Sequence, residues 1–389
     1  MPERRGPAAS ATPDRYARQT AADRPGVAQP VPARPVPVQP WRPILLGALL
    51  LLTLLVSAWE WQWRAFGVTP GIRNSDGLWA HERRRIDAGE GGATVLIGDS
   101  RMLFDFQLPV WERLSGKRPV QLSLEGTSPI FALEELAADE HFTGRLLVDL
   151  APLNLLRSGG LREGVVPYTR RESPSQRLGQ WLSMHLIEPY LAFDDPDFAL
   201  RTVLARQAWP SRPGLEAGSP VRKLSVMEAD RNTQLWSKVE TDTGYRTQVR
   251  LKWMQRHWGI GALPPALQPP AQWPPLIEAQ IARVAGAVAK LRARGVKVVF
   301  VRPPSAGPYL AAEERELPRT RTFDALLAAS GAPGIHFQDY PELQGFELPD
   351  WSHLSAADGA RFTAALYAIL EREHWEPHAG APGPVPEQP

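Results

Sequence analysis

Thr94-Val95-Leu96-Ile97-Gly98-Asp99-Ser100 is a short apolar run that stops at a glycine and delivers an acid and a hydroxyl. Aliphatic residues without polar interruption fit a strand buried on both faces, and Gly98 marks the turn at its carboxyl end. The same signal recurs along the chain. Residues 120–124 (VQLSL) end at Glu125-Gly126, residues 146–150 (LLVDL) at Ala151-Pro152, and residues 296–301 (VKVVFV) at Arg302-Pro303-Pro304. Residues 335–337 supply a shorter fifth run.

The intervals read as helices. Residues 76–88 precede the first strand, and Ile277, Ile281, Val284, Val288 and Leu291 make one apolar stripe at helical spacing. Gly295 is the C-cap of that helix. A last helix opens at Ser355, with Asp358 three residues on, and carries Phe362, Leu366, Ile369 and Leu370 on one face. Alternating uninterrupted strands and amphipathic helices predict an α/β fold: a five-stranded parallel sheet covered on both sides, with reactive groups beyond the strands' carboxyl ends.

Residues 155–275 break the alternation. They are rich in Arg, Pro and Trp, with Trp181, Trp209, Trp236, Trp253, Trp258 and Trp273 among them. A structureless loop of that length is improbable in a compact domain, so a mostly helical insertion, lying as a lid over the strand ends, is expected. The acidic run Asp194-Asp195-Pro196-Asp197 lacks calcium-loop spacing and is expected to cap a helix.

The chain has 389 residues, 44 Lys+Arg, 42 Asp+Glu, 40 Pro and no Cys. Seven Arg and three acids in the first 42 residues put +4 there and leave −2 on the rest. A near-neutral body lacks the basic footprint that nucleic acid requires. Absence of Cys excludes disulfide frameworks, thiol nucleophiles and Cys-ligated zinc. No phosphate-cradling glycine loop or H-E-x-x-H site occurs, so neither a cofactor nor a metal is expected.

The Pro- and Arg-bearing residues 1–41 read as a disordered tail, as does the Pro-rich stretch 376–389. The 17 uncharged residues from Pro43 to Trp59 (PILLGALLLLTLLVSAW) just reach the length of a bilayer span. Trp41 and Trp59, Trp61 and Trp63 stand where an aromatic belt belongs. Residues 42–63 are therefore expected to be a signal anchor with the lipid bilayer as partner. The Arg-rich tail would stay cytoplasmic, and in a bacterial inner membrane the domain of residues 72–375 would be periplasmic or extracytoplasmic. Val56-Ser57-Ala58 leaves a cleaved signal peptide open, although the long segment before the apolar run favours an uncleaved anchor.

Ser100 and the motif Asp350-Trp351-Ser352-His353 supply the chemistry. A Ser hydroxyl needs a base, and a neutral His needs an acceptor that fixes its tautomer. Ser100, Asp350 and His353 provide those three types, the last two a turn apart just before a capped helix. Arg101 is a candidate contact for an anionic substrate, with pairing to a nearby carboxylate as the alternative.

These blocks resemble the SGNH, or GDSL-like, hydrolase superfamily: Gly98-Asp99-Ser100 after the first strand, a Gly block after the second, an Asn block after the third and D-x-x-H before the last helix. The resemblance covers about residues 92–155 and 277–373 and implies a three-layer, flavodoxin-like α/β/α fold. It implies Ser100 as nucleophile, His353 as base, Asp350 as its orienting partner, and an oxyanion hole from Ser100 N–H, Gly126 and Asn154. Gly126 in Leu124-Glu125-Gly126-Thr127 matches well. Asn154 in Ala151-Pro152-Leu153-Asn154 matches poorly, since the family's Gly-x-Asn-Asp is missing here.

The expected function is a membrane-anchored serine ester hydrolase or acyltransferase acting on a cell-envelope acyl ester, such as a polysaccharide O-acyl group. The anchor and the lid resemble periplasmic O-acetylating domains and membrane-anchored D-alanyl-transfer proteins. The alternative is a catalytically silent scaffold that binds glycan or organises envelope-assembly partners.

Overall fold

A computed structural model describes residues 39–157, 162–206, 221–259 and 272–375. The two terminal tails expected to be disordered lie outside the described residues, apart from residues 39–41. The chain divides into two units, residues 1–56 and 57–389. In the first, the described residues form most of α1 (Trp41–Phe66), a 26-residue helix whose most apolar 18-residue stretch has mean hydropathy 2.0 and is nowhere buried. It is long and apolar enough to cross a membrane.

In the second unit, α2 (Asp76–Arg85) starts on the Ser75 side chain, which accepts from Leu78 N, and leads to β1 (Thr94–Ile97). Then follow α3 (Ser100–Asp105), α4 (Leu108–Ser115), β2 (Val120–Gln121), α5 (Ile130–Ala138) and β3 (Arg145–Asp149). The insertion contributes α6 (Val165–Arg171), α7 (Pro174–Leu186), α8 (Leu200–Ala205), β4 (Ser225–Met227), β5 (Thr233–Leu235), α9 (Ser237–Thr241) and α10 (Thr243–Trp258). The chain then returns through α11 (Trp273–Ala293), β6 (Lys297–Arg302), α12 (Gly307–Glu316), α13 (Phe323–Ser330), β7 (Gly334–His336) and α14 (Ala356–Glu373).

The five expected strands form one parallel sheet in the order β2-β1-β3-β6-β7. Counted within the sheet this is 2-1-3-4-5, a doubly wound order whose reversal at β1 and β3 opens a crevice beyond those strands' carboxyl ends. Side chains alternate between two cores. Val95, Ile97, Leu146, Val148, Val298 and Phe300 pack toward α5, α11 and α13. Leu96, Leu147, Val299 and Val301 pack toward α4 and α14. Both faces are covered, which is why the strands read as continuous apolar runs.

β2 is shorter than its sequence signal, but its backbone continues along β1: Leu122 N donates to Leu96 O (2.8 Å) and Leu124 N to Gly98 O (3.1 Å). That extension carries Gly126 to the end of β1. Buried Arg231 clamps it, donating to Gln121 O (2.9 Å) and Ser123 O (2.8 Å).

Among its described residues the insertion is mostly helical, and β4 and β5 form an antiparallel hairpin within it. Met227, Leu235, Trp236, Val239 and Val249 bury themselves together with Leu103 and Phe104 of α3, so the insertion packs an apolar core against the helix that begins at Ser100. Asp194, Asp195 and Asp197 pair with Arg73, Lys223 and Arg206. These acids act as ion-pair partners across the insertion as well as in a local turn, where Asp195 Oδ1 accepts from Asp197 N (2.9 Å).

Candidate active site

Three loops converge at the carboxyl ends of β1, β2 and β3. A Cβ on Gly98 would lie 2.5 Å from Met102 Cβ and 2.8 Å from Asp149 Cβ, so only glycine lets β1 turn directly into α3 over β3. Asp99 caps that helix, its Oδ1 accepting from Arg101 N (2.9 Å). Ser100 thereby takes the first helical position and lines a cleft of about 560 Å³.

The second loop places His353. Asp350 Oδ1 accepts from Ser352 N (3.0 Å) and His353 N (2.8 Å), folding the four residues into a tight turn. Trp351 meets this geometry with φ 71°, a costly left-handed conformation for a bulky side chain. The Arg250 guanidinium lies 4.8 Å from the Trp351 ring, and Arg250 Nε donates to Pro349 O (2.8 Å), holding the turn from α10.

The side chains then meet in line. His353 Nε2 is 2.8 Å from Ser100 Oγ, and His353 Nδ1 is 2.7 Å from Asp350 Oδ2. Trp253 Nε1, from the insertion, donates to the same Asp350 Oδ2 (3.0 Å). Asp350 and His353 are buried, Ser100 is half-buried, and Phe104 packs 4.8 Å from the imidazole. Burial alone would push His353 down. The Asp350 carboxylate outweighs burial and raises it above its ordinary 6.5. Burial likewise opposes ionisation of Asp350, but His353 and Trp253 hold its carboxyl below 3.8.

The third loop follows β2. Gly126 adopts φ +61°, lines the cleft with Ser100, and among the described residues neither Ser100 N nor Gly126 N donates to another protein group. Both amides are thus available to a developing oxyanion.

Asn154 is corrected. It lies fully buried in the turn after β3, away from the cleft wall, and its Nδ2 donates to Asp99 Oδ2 (3.0 Å). It holds the acid that caps the helix beginning at Ser100. For Arg101 it is the alternative reading, pairing with a carboxylate, that the geometry matches. Successive helical residues point about 100° apart, and Arg101 turns inward, buried, donating from Nη2 to Glu313 Oε1 (2.9 Å) and from Nε to Ser352 Oγ (3.3 Å). It braces the His353 turn and touches no cleft surface.

Four groups had no signal in the sequence. Asp149, at the end of β3 beneath Gly98, is fully buried beside Asp99, and burial together with that neighbouring charge raises its carboxyl well above 3.8. Burial opposes ionisation of Asp99, but Arg101's charge and backbone amide outweigh it and hold that carboxyl below 3.8. Asp105 lies behind His353, accepts from Leu354 N (2.8 Å), and is pushed by burial up to about 7. His257, stacked on Trp253 at 5.5 Å, is lowered to about 3 by burial and nearby guanidiniums and is neutral. Trp253 itself was visible only as one of several scattered Trp.

Among the described residues one cluster could present metal-ligating atoms together: Asp87, Asp139 and His141. Arg83 pairs with both carboxylates, so the group is a surface ion-pair network.

No family model matches this sequence, and no curated protein matches it. Among solved structures, the crystal structure of TesA is similar at 14% identity, with the match covering 72% of this chain and 98% of that chain at a TM-score of 0.31.

Proposed function

We propose that the chain is a membrane-anchored serine ester hydrolase or acyltransferase of SGNH type. The observation that carries this reading is the continuous hydrogen-bonded line from Ser100 Oγ through His353 to Asp350, opening on a cleft. His353 Nε2 takes the Ser100 proton as Oγ attacks the acyl carbonyl, and Asp350 fixes the tautomer and stabilises the imidazolium. Ser100 N and Gly126 N receive the oxyanion. The tetrahedral intermediate collapses as His353 returns its proton to the departing alcohol, leaving an acyl ester on Ser100. Water then gives hydrolysis, and an acceptor hydroxyl, such as that of an envelope sugar, gives transfer. Asn154 and Arg101 position the nucleophile and the base.

Labelling of the purified full chain in detergent by a fluorophosphonate probe tests the reading. Labelling lost in Ser100→Ala and in His353→Ala supports it; an unlabelled wild-type chain returns the protein to a silent scaffold. For the anchor, we place the N-terminus in the cytoplasm and the domain outside a bacterial inner membrane, on the charge asymmetry about the span. A reporter fused after Trp375 that is active only in the cytoplasm would overturn that orientation.

A further inference from the structure

The cleft is far more positive than the body that contains it. Residues 43–389 carry −2 overall, yet the cleft wall holds seven Lys or Arg against three acids. Some of these cations are neutralised: Arg73 pairs with Asp194 (2.5 Å), Arg162 with Asp76 (2.7 Å) and Lys223 with Asp195 (2.5 Å). Of the wall's acids, Asp197 pairs with Arg206 (2.7 Å) and Glu125 accepts from Asn74 Nδ2 (2.5 Å). Arg157, Arg222, Lys252 and Arg256 remain with no ion-pair partner among the described residues.

Two observations show that these cations are not simply solvated surface groups. Among the described residues, Arg157 Nη1 and Arg222 Nη1 are buried donors without an acceptor, which is costly unless something supplies one. Burial and the neighbouring guanidiniums of Arg256 and Arg206 also push Lys252 below its ordinary value. Like charges crowded around a concave, partly desolvated site repel one another and focus a positive potential into it.

We propose that this cluster is an anion subsite, so that the substrate of Ser100 is an acyl ester, or an acyl acceptor, whose body bears two or more phosphate or carboxylate groups. This rests on the acyl-chemistry reading and deepens it. The cleft volume of about 560 Å³ falls within the range that encloses a small ligand. Guanidiniums bind phosphate and carboxylate through paired, charge-assisted hydrogen bonds. An anion in the cleft would neutralise the Arg157 and Arg222 guanidiniums that line it and relieve the repulsion at Lys252, while Ser100 and Gly126 on the same wall receive the acyl carbonyl.

The test uses the full chain in zwitterionic detergent carrying Ser100→Ala, so that binding is read without chemistry. Calorimetric titration compares pyrophosphate, trigalacturonate and neutral maltotriose at low and high salt. One or both anions bind and maltotriose does not. Affinity falls with salt and drops at least about tenfold in Arg222→Gln/Arg256→Gln. Binding of pyrophosphate alone assigns phosphate, and binding of trigalacturonate assigns carboxylate. If the double variant fails to fold, Lys252→Gln replaces it: its thermal midpoint rises in the absence of ligand, and its anion affinity falls. No binding of either anion, equal binding of maltotriose, or unchanged affinity in the variants overturns the proposal. Anion binding without fluorophosphonate labelling of the unsubstituted chain overturns the acyl chemistry alone. Labelling without anion binding overturns the subsite alone.

Discussion

Asp350→Asn is the perturbation that most sharply separates a working relay from a merely tidy cluster. Asp350 receives four donors: Trp253 Nε1 and His353 Nδ1 on Oδ2, and Ser352 N and His353 N on Oδ1. An ionised carboxylate accepts all four, whereas an amide has one accepting oxygen. The turn's two backbone amides keep that oxygen, so the Asn NH₂ faces Trp253 N–H and the imidazole. His353 must then present a lone pair at Nδ1 and carry its proton on Nε2, the nitrogen 2.8 Å from Ser100 Oγ. A base protonated there cannot take the serine proton. The equivalent change in a Ser-His-Asp protease costs about 10⁴ in rate, or about 5 kcal/mol on the barrier. The donor facing Trp253 adds a stability cost of about 1–3 kcal/mol. The assay is the pseudo-first-order rate of fluorophosphonate labelling, read beside Ser100→Ala and a urea unfolding curve that establishes the variant is folded. A folded Asp350→Asn chain labelled within about tenfold of wild type would refute the relay.

Three further outcomes follow from the same geometry. Because His353 acts neutral and its pKa is raised above 6.5 by Asp350, the labelling rate falls as pH drops through that raised value and plateaus above it; a flat profile between pH 5 and pH 9 contradicts this. Asp105 keeps its proton up to about 7 in the fold but only to about 3.8 unfolded, so the stability it contributes is complete below pH 4 and is lost as pH rises through 7. That window is worth at most about 4 kcal/mol, and Asp105→Asn, which still accepts from Leu354 N, gains on wild type across it in urea midpoints; parallel curves would contradict the assignment. Glu313 is shared by Arg101 (2.9 Å) and Arg302 (2.7 Å), all three buried. Glu313→Gln removes the carboxylate that both buried guanidiniums share and costs about 3–5 kcal/mol in unfolding free energy, and a loss under about 1 kcal/mol would show that the pair is solvated.

The sheet was legible because a parallel strand buried on both faces has no reason to alternate: residues 94–97, 146–150 and 296–301 stand out as largely apolar runs followed within two residues by Gly or Pro. The hairpin of β4 and β5 was not, since three-residue strands with a buried Arg231 beside them carry neither length nor periodicity. Ser100, Asp350 and His353 could be found because their residue types and their places at element ends are written in the chain. The directions of Asn154 and Arg101 could not, because those depend on which way a turn or a six-residue helix rotates after β1 and β3 are set side by side. The roles of Trp253 and of Arg157, Arg222, Lys252 and Arg256, which have no ion-pair partner among the described residues, could not be read for a simpler reason. The insertion folds residues far apart in sequence onto one wall, inside a body whose net charge has the opposite sign.

The most direct measurement is trapping of the covalent intermediate. Full chain mixed with p-nitrophenyl acetate and quenched in acid within the first turnover is digested and mapped by mass spectrometry. One acetyl group on the peptide containing Ser100, absent in Ser100→Ala, is the predicted result. No acetylated peptide, or acetylation elsewhere that persists unchanged in Ser100→Ala, would contradict the claim that Ser100 is an acyl-transfer nucleophile.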